Sequence, residues 1–133
     1  MGMSIQGVRL DGHKNTVNCT PVEMPTPEKV RLPLALLGSN TSTFLVQKGD
    51  EVAVGQPVAS EGQGIGVPIY ASVSGTVSGI EKVRMTSGAT VDALVITADG
   101  KQTVWEGVKA PEVTDKQSFL DAVRKSGMVG LGG

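Results

Sequence analysis

The chain has 133 residues, twelve basic and thirteen acidic side chains, and a formal net charge of -1. One domain, or one domain with a short appendage, fits that length, and the charge balance argues against a nucleic-acid partner, which needs a clustered basic surface. Aromatic residues make up only 3% of the chain, too few for base-stacking platforms, and a single cysteine, Cys19, excludes an internal disulfide and a cysteine-ligated cluster.

Residues 1–29 read as an irregular arm that packs along a body. Pro21, Pro25 and Pro27 stiffen it and remove the amide donors a central strand would need. His13 stands alone and lies in a turn-rich Asp11-Gly12-His13-Lys14-Asn15 stretch, so a turn is the reading there; Cys19 reads as a small buried or half-exposed thiol.

From Val30 the chain breaks into short apolar runs separated by turn signals. The runs are Val30-Arg31-Leu32 closed by Pro33, Phe44-Leu45-Val46, Glu51-Val52-Ala53-Val54, Pro57-Val58-Ala59, Ile69-Tyr70-Ala71, Gly75-Thr76-Val77 and Leu94-Val95-Ile96. Turn signals about eight to twelve residues apart predict a small all-β sandwich or barrel. Asp99-Gly100 predicts a hairpin with Val104-Trp105 as the returning strand. Trp105 then anchors that hairpin on the core, and Tyr70 packs similarly with its hydroxyl reaching water. Asp50, Glu51 and Glu61 read as solvated acids, and Gly62, Gly64 and Gly66 as a mobile loop.

The period changes at the end of the chain. Thr114 as N-cap with Gln117 at the capping-box position, and Phe119, Leu120 and Val123 on one stripe, predict a helix over residues 115–126 with Gly127 as its C′ residue. The glycine-rich Met128-Val129-Gly130-Leu131-Gly132-Gly133 comes next, a composition that lets a ligand approach the backbone closely and that is expected to lead on into more protein. The longest apolar run is Leu34-Ala35-Leu36-Leu37, far below the roughly 20 residues of a membrane span.

Two stretches share a form. Val46-Gln47-Lys48-Gly49-Asp50-Glu51-Val52-Ala53-Val54-Gly55-Gln56-Pro57-Val58 and Ala71-Ser72-Val73-Ser74-Gly75-Thr76-Val77 each carry a glycine turn before an inward valine. Each half alone exposes one apolar face, so the two must sandwich. These residues resemble the biotinyl/lipoyl carrier family, a barrel-sandwich hybrid whose connecting hairpin carries a modified lysine. Here that connection is Glu61-Gly62-Gln63-Gly64-Ile65-Gly66-Val67-Pro68, without a lysine; Lys48 and Lys82 lie elsewhere. A carrier role is therefore disfavoured.

A broader resemblance covers nearly the whole chain. Gly7-Val8, Gly12-His13-Lys14, the proline arm, Leu32-Pro33-Leu34, the Gly49-Asp50 and Gly55-Gln56 turns, the Ala71–Val77 stretch and Gly127-Met128-Val129-Gly130-Leu131-Gly132-Gly133 occur in the order seen in the N-terminal region of the C subunit of Rnf-type electron transport complexes. The chain departs from that family at Ala35-Leu36-Leu37-Gly38-Ser39-Asn40-Thr41-Ser42, where a polar stretch with histidine and proline is usual. The resemblance implies a mainly β fold: an arm over residues 1–29, a barrel-sandwich hybrid over 30–108, and over 109–133 a linker, a helix and the start of a glycine-rich loop of a flavin/NADH-binding domain. It implies no catalytic residue and no metal ligand here, and a weak, partial cofactor-binding role for Gly130, Gly132 and Gly133. The full-length protein would carry 4Fe-4S clusters and flavin/NADH and move electrons between NADH and ferredoxin. Its partners would be the other subunits of a membrane electron transport complex, and its place the cytoplasmic face of the bacterial membrane, peripheral. The related barrel in the A subunit of a sodium-pumping NADH:quinone reductase is the alternative.

Overall fold

The computed structural model describes residues 12–34, 43–62 and 66–129. Six strands and one helix follow in chain order: β1 (Lys29–Pro33), β2 (Glu51–Val52), β3 (Pro57–Ala59), β4 (Ile69–Tyr70), β5 (Gly75–Arg84), β6 (Thr90–Ala98) and α1 (Lys116–Lys125). β1, β6, β5 and β2 form one antiparallel sheet in that order, and β3 pairs with β4 in a second. The expected mainly β, barrel-sandwich architecture with one terminal helix is the architecture found.

Two turns of one design connect the small strands. In the first, Gly49 takes φ +98° while the Asp50 carboxylate accepts the Gln47 amide at 2.9 Å. In the second, Gly55 takes φ +82° while the Gln56 side-chain carbonyl accepts the Ala53 amide at 3.1 Å. Glycine enters the left-handed region without steric cost, and the next side chain satisfies the amide that the turn would orphan. The G-D…G-Q spacing is thus one turn used twice. The first is stitched to β5 through Gly49 N–H to the Val77 carbonyl and Val77 N–H to the Asp50 carbonyl, each 2.9 Å. The second is stitched past β4 through Gly55 N–H to Ala71 and Ala71 N–H to Gln56, also 2.9 Å.

The core between the sheets is aliphatic: Val52, Val58, Ala59, Ile69, Ala71, Val73, Val77, Leu94 and Ile96, with Val30, Leu32 and Phe44 closing its rim. β6 is buried from Ala93 through Ile96, on both faces at once, and its two edges are taken by β1 and β5. That flanking overturns the predicted hairpin at Asp99-Gly100. The chain does reverse there, with Gly100 at φ +73° and Gln102 at φ +52°. No free edge of β6 remains, so Val104 pairs instead with Val54 in a parallel bridge. The hairpin that does form is β5–β6, turning through Thr86-Ser87-Gly88 with Gly88 at φ +85°. Phe44-Leu45-Val46 gives no strand, only a bridge from Phe44 to Ala59.

Other expectations shift. Over residues 12–26 the arm is exposed rather than packed, with Val17, Val22 and Met24 at 71%, 91% and 76% exposure; its prolines hold it extended and give it few donors with which to join the β1 edge. Cys19 is exposed. The helix cap is Asp115, whose side chain accepts the Ser118 amide while Ser118 answers with its hydroxyl. Asp caps better than Thr and adds a favourable charge at the helix start, which moves the cap one residue past Thr114. Gly127 takes φ +69°, as its C′ position predicts. Gly62 and Gly66 are buried and lie back to back: a Cβ on Gly66 would come within 2.6 Å of the Gly62 nitrogen. Gly64 lies outside the described residues, as do Gly7-Val8 and the stretch from Ala35 to Ser42.

Ser74 is the single buried polar side chain of the described core, and it joins β5 to the segment after β6. Its hydroxyl donates to the Asp99 carboxylate at 2.6 Å and accepts the Thr103 amide at 3.0 Å; its own amide donates to the Gln102 side chain at 3.3 Å. Next to it, Gly75 at φ +154° presses against β6 so closely that a Cβ would sit 2.0 Å from the Thr97 carbonyl oxygen. Gly79, at φ +145° in the bulge of β5, meets nothing within 4 Å.

Two outcomes are expected from this geometry. Gly75→Ala adds a backbone clash to backbone strain and should cost more than about 3 kcal/mol in urea unfolding, whereas Gly79→Ala meets strain alone and should cost about 1–2 kcal/mol; equal losses would remove the close approach as the cause. The second concerns acid. The Ser74 hydroxyl, then the Lys101 amide, hold the Asp99 carboxyl below the usual carboxylate range. A lowered folded-state value stabilises the fold above the unfolded value of about 3.9 and is lost as pH falls through the folded one. Asp99→Asn should therefore flatten the fall in melting temperature below about pH 4; an unchanged acid limb would show that Asp99 is uncoupled from folding.

Candidate functional site

Between the barrel and α1 lies a cleft of about 700 Å³, the larger of the two described. Its barrel wall is built from Tyr70, Trp105 and Val108, and its helix wall from Ser118, Ala122 and Lys125. The sequence places these walls for local reasons. Pro68 and the β3–β4 pairing fix Tyr70 at the end of β4. The Val54–Val104 bridge delivers Trp105, whose amide donates to the Val54 carbonyl at 2.9 Å. Gly107 then folds under the indole, where a Cβ would lie 2.2 Å from the ring. Ser118, Ala122 and Lys125 recur at helical spacing and present small or polar groups to the barrel.

Three contacts hold α1 in place. The Tyr70 hydroxyl donates to the Lys125 carbonyl at 2.5 Å, satisfying one of the orphan carbonyls at the helix end. Arg124 pairs with Glu61 at 3.0 Å, with both side chains about half exposed. Gly127 lies against the Pro68 carbonyl and the Tyr70 ring, its position for a Cβ 3.0 Å from each. Burial, and secondarily the Glu61 charge, push the Tyr70 hydroxyl above its usual value.

The sequence alone points these residues to other roles: Tyr70 reaching water, Glu61 solvated, Trp105 anchoring a hairpin. Tyr70 instead grips the helix and Trp105 is half-buried in the cleft wall, while Glu61 is exposed as expected and also pairs with Arg124. Tyr70 and Lys125 are 55 residues apart, so no local pattern signals the contact. The predicted loop residues Gly130, Gly132 and Gly133 lie outside the described residues; Gly127, just before them, is seated on the barrel.

The cleft suits docking. Its charged residues, Lys109, Glu112, Asp121 and Lys125, balance in sign, and the one phenol is already committed to the helix. Among the described residues no group of three or more His, Cys, Asp or Glu side chains is placed to hold a metal ion, and no helix is long and apolar enough to cross a membrane.

Tyr70→Phe should loosen α1 without unfolding the barrel. The lost bond corresponds to about 0.5–1.5 kcal/mol, read as faster amide exchange over residues 116–127 against unchanged exchange in β5 and β6. Because the phenol is favoured in its neutral form here, the same loosening should set in for the parent chain as pH rises past about 10. Equal exchange in parent and variant at neutral pH would exclude the contact as the latch.

Comparison with known proteins places this chain in a family. The family described as RnfC barrel sandwich hybrid domain matches residues 3–101. The chain is 39% identical over 111 residues to the C subunit of the Na(+)-translocating ferredoxin:NAD(+) oxidoreductase complex of Acetobacterium woodii, covering 80% of this chain and 25% of that protein. It is 37% identical over 133 residues to the C subunit of the proton-translocating ferredoxin:NAD(+) oxidoreductase complex of Clostridium ljungdahlii, covering 96% and 29%. The C subunit of the ion-translocating oxidoreductase complex of Vibrio cholerae is 29% identical over 132 residues, covering 96% and 17%. The chain thus spans less than a third of the length of these relatives. With the glycine-punctuated turns, the aliphatic core between two sheets and this match on the page, the chain belongs to the RnfC barrel-sandwich-hybrid family.

Proposed function

We propose that this chain is the non-catalytic N-terminal module of the C subunit of an Rnf-type electron transport complex, a brace for the electron-transfer machinery carried by the rest of that polypeptide. The observation behind the reading is the core itself. The residues that the family match spans close into a barrel whose described interior is aliphatic, with one hydroxyl, Ser74, already engaged in structural hydrogen bonds. Such an interior holds shape rather than substrate. Relatives named as subunits of ferredoxin:NAD(+) oxidoreductase complexes support a parent that moves electrons between NADH and ferredoxin. They favour this reading over the barrel of a sodium-pumping NADH:quinone reductase.

The parent's 4Fe-4S clusters do not fit this chain's donors. Such a cluster takes four thiolates, and the sequence has one cysteine, Cys19; the clusters belong to the remainder of the polypeptide. Flavin or NADH binding by Gly130, Gly132 and Gly133 would need the protein beyond them. The partners are the other subunits of a membrane electron transport complex. A peripheral seat at the cytoplasmic face of the membrane accords with the absence, among the described residues, of a helix fit to span it. The carrier alternative has no support from the segment between β3 and β4, where the modified lysine would stand.

The purified chain, supplied with flavin and NADH, should show no bound flavin and no NADH oxidation, and its intact mass should equal that of the unmodified sequence. In the full-length protein, deletion of residues 30–108 should leave cluster and flavin spectra in place while the polypeptide no longer co-purifies with its membrane complex. Flavin retained by the chain, or a biotinyl or lipoyl mass increment, would overturn the reading.

A further inference from the structure

Two surfaces of this chain complement each other and do not meet within it. The first is the arm just before β1. Thr20-Pro21-Val22-Glu23-Met24-Pro25-Thr26-Pro27 carries three prolines in eight residues. Fixed φ at each proline, with the residue ahead of it held extended, favours a polyproline II rod. None of these eight residues makes a backbone hydrogen bond to a described group, so their carbonyls remain open acceptors. Val22 and Met24 are 91% and 76% exposed. Side chains of that kind gain from burial, yet the barrel to which the arm is joined does not cover them. The second surface is the cleft beneath α1. Tyr70, Trp105, Val108 and Pro111 give it apolar walls, and no residue of the arm lines it. No described group accepts the Trp105 indole N–H, and no buried side-chain nitrogen or oxygen lacks a partner, so that N–H is open to solvent. Aromatic-lined grooves hold polyproline II segments by packing rings on the prolines, and a tryptophan with its donor still available can take one of the rod's carbonyls as well.

From this match we infer that the Tyr70–Trp105 cleft receives the Thr20–Pro27 segment of a second copy of this chain. The exposure of Val22 and Met24 places the arm outside its own cleft, and its prolines stiffen it against folding back. In a neighbour's cleft those two side chains meet the apolar wall, and Glu23, the only charged residue of the segment, finds Lys109 among the lining residues. Given reciprocally, the exchange occupies both clefts and closes a two-fold dimer. Eight residues bury far less than a standard interface, so the dimer is weak and depends on concentration. The prolines keep the cost of ordering the arm low, which is what lets so small a contact form. Neither surface depends on the Rnf-type reading, and both lie within the described residues.

The sequence supplies two handles for the test: Cys19, the lone cysteine, exposed immediately ahead of the segment, and Trp105, the lone tryptophan. Equal amounts of unlabelled and heavy-isotope-labelled chain, each carrying benzophenone-maleimide on Cys19, are mixed, irradiated and digested with trypsin. The expected product joins the Cys19 peptide, residues 15–29, of one isotopic form to a cleft peptide, residues 102–109 or 110–116, of the other. Adducts confined to one copy, adducts to a surface outside the cleft, or no adduct would each overturn the exchange while leaving the electron-transport reading intact. A second measurement needs no label. Trp105 emission should shift to shorter wavelength as the chain is concentrated from about 10 μM to about 1 mM, the range of a weak contact. Val22→Asp combined with Met24→Asp should raise the midpoint of that shift at least about tenfold. Both side chains are exposed, so the double variant keeps its barrel, read as unchanged amide exchange in β5 and β6. Emission independent of concentration, or a double variant with the midpoint of the parent, would rule the arm out as the occupant.

Discussion

The Thr97 carbonyl oxygen stands where any side chain on residue 75 would have to be. That single close approach sets the distance between β5 and β6, and much else depends on it. With Gly75 against β6, Ser74 is carried inward far enough for its hydroxyl to reach both Asp99 and the Thr103 amide. The segment after β6 is thereby turned across the end of the barrel, where Val104 meets Val54. From there the chain passes Trp105 and Gly107 to the helix. A methyl group at residue 75 would push apart the strands on which both the core and the cleft wall are built, because close-packed interiors transmit such displacements rather than absorb them.

The parts of the fold that were legible in the sequence are those whose cause is local. Gly49-Asp50 and Gly55-Gln56 could be read as turns because the left-handed glycine and the side chain that caps the amide are adjacent. The helix and its glycine terminator were legible for the same reason. The β5–β6 hairpin was only partly visible: Gly75-Thr76-Val77 marked its start, but Gly79 in the bulge and the charged run through Glu81, Lys82 and Arg84 hid its length. Of those charges, Lys82 is met across strands by Asp92, and Glu81 by Arg31 of β1. A sheet partner supplies what the strand's own composition lacks. The failed hairpin at Asp99-Gly100 has the complementary explanation. A turn signal states that the chain reverses, not that an edge is free to receive it, and the edges of β6 are occupied by β1 and β5.

A core of valine and alanine, with Ile69, Leu94 and Ile96 as its larger members, suits a small sandwich of short strands. Such side chains have few rotamers to lose and fill thin layers without large voids. The same economy marks the connection between β3 and β4. In a carrier that segment presents a modified lysine to other active centres. Here Gly62 and Gly66 are buried against each other, and Glu61 beside them reaches Arg124 of the helix. The position that a carrier uses for a mobile arm is used here to hold a neighbouring element still.

The strength of that hold is modest. A half-exposed ion pair such as Glu61–Arg124 contributes about 0–1 kcal/mol, and the Tyr70–Lys125 bond about 0.5–1.5 kcal/mol. Against this stands the ordering of a ten-residue helix, which is marginal in water without tertiary packing. Polar contacts on one face orient α1 but leave its apolar stripe, the stronger source of helix stability, unused. The barrel therefore sets the direction of the helix, while Phe119, Leu120 and Val123 remain about half exposed and add little to its stability. The aliphatic core closes without any residue of the helix, so the barrel can be rigid while the helix is held only by the few contacts on its own face.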